Sequence, residues 1–189
     1  MIKKIVVFLL VGTSIFSSPN RISDIKDIYA TVEETIYLNG NKKVKEYKIE
    51  YISPDYLRKE VISPTVNKGE IFQYENEKSL VYIPLFDEVS ENNSEDVSNF
   101  LSIIKDLKNK DKNDKSFIDN YYLEKVKELK YKDTYKIKIK EYKKIDGYLL
   151  PIKMEIFERE SKVADLDLKD TKVNSDLRRK ELKNEVHKN

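Results

Sequence analysis

Tyr47-Lys-Ile-Glu-Tyr-Ile-Ser-Pro54, Asp55-Tyr-Leu-Arg-Lys-Glu-Val-Ile-Ser-Pro64 and Gly69-Glu-Ile-Phe-Gln-Tyr-Glu-Asn-Glu-Lys-Ser-Leu-Val-Tyr-Ile-Pro-Leu-Phe-Asp-Glu-Val89 form the stretch that decides the fold. It holds four short apolar or alternating runs, parted by turn residues at Ser53-Pro54, Ser63-Pro64 to Gly69, and Glu75-Asn76. Proline has no N–H to give a ladder and pushes the residue before it into an extended conformation, so it marks strand boundaries. The stretch reads as an antiparallel meander, with no catalytic motif in it.

Upstream, Ala30-Val32 and Ile36-Leu38 alternate with Thr31, Glu33, Thr35 and Tyr37, a further strand. Asn39-Gly40-Asn41 is a hairpin turn, since Asn-Gly tolerates positive φ. The return strand, from Val44, puts Tyr47, Ile49 and Tyr51 on one face and Lys48 and Glu50 on the other. A short helix is expected from Ser23, with Ser23 as its cap and Ile22, Ile25 and Ile28 as its stripe.

Downstream, Asp87 to Asp96 is acidic and polar, without the glycine and ligand spacing of a Ca²⁺ loop. Val97, Phe100, Leu101, Ile104 and Leu107 recur at spacings of three and four, which predicts a helix. Lys108 to Lys115 reads as a charged loop. Phe117 to Leu129 fits a helix through Ile118, Tyr122, Val126 and Leu129, and a strand through Tyr121, Leu123 and Leu129. One helical turn followed by a strand is the favoured reading.

The last third alternates again. Tyr135, Ile137 and Ile139 interleave with Lys136, Lys138 and Lys140, most simply a solubilising face. Ile145-Asp146-Gly147 turns the chain into Leu150, Ile152, Met154 and Ile156. Ala164, Leu166 and Leu168 make one more strand face, and 171–174 leaves it. Asp165 and Asp167 flank Leu166 on the wet side, where solvated charge outweighs acid–base work. Residues 176–189 form a charged tail, expected to fray. The fold class is mainly β with α: nine to eleven strands in one large antiparallel sheet, one face wet, the other apolar and covered by the central helix.

Composition narrows the function. The 189 residues suit one domain, and with no Cys and a single His, His187, thiolate chemistry and His-based catalysis or metal binding have almost nothing to work with. No cofactor or metal is expected, and no enzyme. Met1-Ile2-Lys3-Lys4, the apolar run Ile5 to Phe16 and Ser17-Ser18 before Pro19 have the layout of a secretory signal peptide, residues 1–18. Cleavage is expected after Ser17, because a cut after Ser18 would leave Pro19 first. Twelve apolar residues are too few for a bilayer core of about 30 Å. Losing Lys3 and Lys4 brings 36 basic residues level with 34 acidic ones. A balanced chain has no electrostatic reason to seek nucleic acid or anionic membrane.

The run from Val44 to Val89 resembles the periplasmic lipoprotein carriers of the LolA type and their sensor and spore-germination relatives. The matching features are the strand ending at Ser53-Pro54, Leu57 three places on, the strand Ile71-Phe72-Gln73-Tyr74, and Ser79-Leu80-Val81-Tyr82-Ile83-Pro84. The Ile145-Asp146-Gly147 turn, the Pro151 strand and Val173-Asn174 match the family's end, so the resemblance spans nearly all of 19–175. It implies a curved antiparallel sheet, a half-open β-barrel, lidded by helices, whose concavity holds acyl chains of lipoproteins or lipid. An acyl chain of about sixteen carbons costs roughly 12 kcal/mol to leave in water, so such a carrier needs a dry surface rather than a catalyst. The wall it implies comprises Tyr47, Ile49, Tyr51, Leu57, Val61, Phe72, Leu80, Tyr82, Phe100, Leu101, Ile104, Ile137, Ile139, Ile152 and Met154. Tyr47, Ile49, Tyr51 and Leu57 read equally well as plain core. The implied partners are an inner-membrane releasing complex and an outer-membrane acceptor, with the carrier itself a periplasmic monomer. A regulatory module of the same fold, binding a lipid or a protein partner in the envelope, is the alternative.

One departure stands out. The residue before the motif proline is commonly an Arg that holds the lid closed; here it is Ser53. Nothing on the same face replaces it, so a loosely held lid is expected.

Overall fold

The computed structural model describes residues 20–38, 40–91, 95–131 and 134–182, with the side chains of 95–100 outside that description. The signal segment, Asn39 and His187 therefore lie outside the described residues. A 3-10 turn, Ile22–Asp24, precedes β1 (Asp27–Leu38), β2 (Asn41–Ile52), β3 (Tyr56–Ser63), β4 (Ile71–Glu75), β5 (Lys78–Ile83) and β6 (Glu88–Glu91). Two helices follow, α1 (Glu95–Asn113) and α2 (Lys115–Tyr121), then β7 (Glu128–Tyr131), β8 (Tyr135–Ile145), β9 (Tyr148–Glu158) and β10 (Ser161–Val173).

All ten strands join one antiparallel sheet in the order β6-β5-β4-β3-β2-β1-β10-β9-β8-β7, not closed into a barrel. The chain walks from the centre to one edge, crosses to the other edge through the helices, and walks back until β10 pairs with β1. A link between opposite edges has to traverse a face, and the face it covers is the apolar one.

Turn chemistry sets the register. Gly40 has φ +78° in the β1–β2 hairpin. Gly147 has φ +87°, and a Cβ there would meet the Asn20 side-chain amide at 2.5 Å, so both conformation and space demand glycine. Asn76 and Glu77 both have positive φ between the paired residues Glu75 and Lys78, the signature of a two-residue type I′ hairpin.

Two apolar clusters fill the inner side. One joins Ile22 and Ile25 to Phe117 and Tyr121 of α2 and to Leu129, Ile137, Ile139, Leu150 and Val173. The other joins Ala30, Val32, Tyr47, Ile49, Tyr51, Leu57 and Leu166 to Leu101 of α1.

Three local expectations are corrected. The stretch from Lys108 is not a loop: α1 continues to Asn113, and Asp114 caps α2 by accepting from the Phe117 N–H at 2.9 Å. Ser23 caps nothing; its N–H donates to Asp111 Oδ2 at 2.9 Å. The tail does not fray as far as Leu182. Arg179 pairs with Asp55 and Glu75, Lys180 with Glu50, and Leu182 is buried. This strap lies on the outer face, where Tyr56, Arg58 and Gln73 are also buried.

Candidate functional site: a cavity between sheet and helix

Directly opposed residues in an antiparallel ladder share a face. β2 and β3 pair Tyr51 with Leu57, Ile49 with Lys59 and Tyr47 with Val61, so all six look inward. β1 adds Ile28, Ala30 and Val32 to that face, and β10 and β9 extend it through Leu166 and Met154. Between this wall and α1 lies an open cavity of about 340 Å³. Its lining includes Tyr47, Ile49, Leu57, Ile36, Ile103, Ile137, Ile156, Val163, Ala164, Leu166, Tyr131 and Tyr135, with three charged residues, Glu34, Lys45 and Lys59.

The residues expected from the sequence divide accordingly. Tyr47, Ile49, Leu57 and Ile137 line the cavity. Tyr51, Leu101 and Ile139 are core beside it, and Phe72, Ile104 and Met154 pack against that core. Val61 and Ile152 are buried in their strands. Leu80 and Tyr82 are corrected: they pair with Gln73 and Ile71, on the face opposite Phe72 and Tyr74, because the two-residue turn puts odd positions of β4 against even positions of β5. Val81 and Ser79 hold the inward positions instead. The Phe100 side chain is outside the described residues.

Lys59 and Ile36 were missed although alternation reaches both. Lys59 lies between Leu57 and Val61, and its charge masked its place in the row. Its ammonium sits 4.0 Å from the centroid of the Tyr47 ring. Glu34 and Lys45 face each other directly across β1 and β2.

The helical cover has a polar tie at Ser53, which corrects the expectation that nothing replaces the missing arginine. Lys108 of α1 donates to the Ile25 carbonyl at 2.5 Å and to Ser53 Oγ at 3.0 Å, above the Tyr51 ring at 5.7 Å. The cation comes from the helix and the acceptor from the position before Pro54, the reverse of the expected polarity. Burial lowers the Lys108 pKa, assisted by Lys112, and raises that of Tyr51. One turn further on, fully buried Asp111 accepts from Arg21 Nε at 3.3 Å, from the Ser23 N–H, and from the Tyr122 hydroxyl at 2.9 Å.

Neither a family model nor a curated protein matches the sequence. Solved structures do match. A LolA superfamily protein from Nitrosomonas europaea superposes with a TM-score of 0.54 at 9% identity, over 82% of this chain and 89% of its own. The fold is LolA-like. A domain described as an outer membrane lipoprotein-sorting protein, from Vibrio parahaemolyticus, gives 0.53 at 12% identity over 86% and 89%. A DUF1329 family protein from Desulfovibrio piger gives 0.56 at 16% identity over 83% and 89%. Within this LolA-like frame the cavity lies on the helix-covered face of the sheet, with Ile103 of α1 in its lining. No helix among the described residues is long and apolar enough to cross a membrane.

Proposed function

We propose that the protein is an extracytoplasmic, non-enzymatic carrier that takes acyl chains of lipoproteins, or of lipid, into the cavity between α1 and the sheet. The observation that carries this reading is the cavity itself, apolar wall on one side and a pinned helix on the other. The likeness to the Vibrio lipoprotein-sorting domain supports it. Export through the signal segment to the periplasm, monomeric action, and transfer between an inner-membrane donor and an outer-membrane acceptor belong to the same proposal. Nucleic acid has no part in it.

The test is mass spectrometry of lipid co-purifying with the mature protein, joined to displacement of a fluorescent fatty acid. Ile36→Glu sets a carboxylate on the half-exposed part of the lining. Bound acyl lipid, displaced by competitor and lost in Ile36→Glu, is the expected result. No acyl ligand in either assay overturns the reading.

One observation favours the regulatory alternative. Val66, Leu85 and Phe86 are 85%, 83% and 67% exposed at neighbouring loop tips, brought together where Gly69 meets Pro84. A protein that docks on this apolar knob and leaves the cavity empty would select the regulatory reading.

A further inference from the structure

The cavity assigned above to acyl chains has an ammonium built into its apolar wall. Lys59 stands directly between Ile49 of β2 and Phe72 of β4, and its Nζ lies over the Tyr47 ring at 4.0 Å. A lysine here is not a solvated face, because its cross-strand neighbours are apolar and its side chain is half-buried. The charged residues of the described lining are two lysines and one glutamate, and Glu34 is matched across the ladder by Lys45.

Size limits the guest as well. Ligand pockets run from about 300 to 1,000 Å³. A cavity of about 340 Å³ lies at the small end of that range and suits one chain better than two or three.

We propose that the ligand is a single-chain fatty-acid anion, its tail along Ile49 and Leu57 and its carboxylate on the Lys59 ammonium. This rests on the carrier reading and narrows its cargo from lipoprotein or lipid to a one-tailed amphiphile with a negative head. Lys59 need not be free to do this. An ammonium has three donors, and a carboxylate accepts through both oxygens. The Tyr47 ring also stabilises the cation in the empty cavity.

Calorimetric titration of the wild-type protein with decanoate, decanol and a synthetic diacylated lipopeptide tests it, alongside Lys59→Met and Lys59→Arg. The wild type is expected to bind decanoate about tenfold or more tightly than decanol, the scale of one charge-assisted hydrogen bond. Lys59→Met should bind both alike and keep its decanol affinity, while Lys59→Arg keeps the preference. Equal wild-type affinity for acid and alcohol overturns the anionic head and leaves the carrier reading standing. Binding of the lipopeptide alone likewise overturns the one-tailed guest and spares the carrier. If none of the three binds, the carrier reading falls and this proposal with it. The wild-type comparison needs no variant, so a misfolded Lys59→Met still leaves the proposal open to refutation.

Discussion

Lys108 holds two segments that are distant in sequence, Ile25 before β1 and Ser53 after β2, to the same point of α1. Lys108→Met keeps the aliphatic stem and removes the donors. Amide exchange over 101–113 is expected to accelerate, and unchanged protection would show that the contact holds nothing. Asp111 makes a sterner anchor, because its removal orphans the Ser23 N–H and the Tyr122 hydroxyl. Asp111→Ala is expected to cost about 2–4 kcal/mol in a denaturant melt. Leu57 tests core against pocket. It lines the cavity, yet is only 2% exposed and belongs to the core cluster. Leu57→Glu should therefore cost several kcal/mol of stability, whereas Ile36→Glu should lose ligand and keep its stability to within about 1 kcal/mol. The alternation Leu57-x-Lys59-x-Val61 was legible from the start. What hid Lys59 was the habit of reading charge as solvent, which fails when a cation can lie over a tyrosine face.

At the scale of elements, strands were far easier to read than helices. Proline, glycine and Asn-Gly mark strand ends by fixing φ or removing a donor, and alternation shows the buried face even in a lysine-rich strand such as β8. The second half of α1 has almost no apolar residue to betray its period, because it is fastened by Lys108 and Asp111 rather than by a hydrophobic stripe. The inward set of β5 depended on the parity of a two-residue turn, which composition does not reveal. α2 brings a pH signature. Tyr121 meets Phe117, Tyr122 and Tyr142 at centroid distances of 5.2, 5.3 and 5.4 Å, and its hydroxyl donates to the Leu149 carbonyl. Burial raises the pKa of Tyr121, Tyr122 and Tyr142 above the ordinary 10. A phenol whose folded pKa is raised contributes stability that is whole below pH 10 and is lost as pH climbs toward the folded value. Lys108, with its lowered pKa, acts in the opposite sense just below its ordinary 10.5, but as one half-exposed amine against three phenols. Denaturant midpoints should fall above about pH 10, with part of the phenolate absorbance appearing only on unfolding. Full ionisation of all 13 tyrosines in the folded protein would contradict this.

Across the whole molecule, β1 and β10 are the first and last strands and lie side by side at the centre of the sheet. The general plan, one sheet with a wet and an apolar face under a helix, follows from patterning. The order of strands does not, since nothing local says which strands from the two halves will meet. The tail was equally opaque: a run of Arg, Lys and Glu looks solvated until Asp55, Glu75 and Glu50 are found waiting on the outer face. Deleting 176–189 should cost about 2–3 kcal/mol, chiefly the buried Leu182, since half-exposed ion pairs add little. An unchanged melting curve would mean the strap only rests on the sheet. The helices have a further consequence as the link between the two outermost strands. They act as the string of a bow whose limbs are β6 and β7, tied at both ends, so α1 has no free end about which to hinge. A guest that pushes α1 outward must draw the limbs together or flex the bow. Spin labels at Ser90 and Lys130, one on each limb, should therefore report loading as a change in span, although neither residue touches the guest.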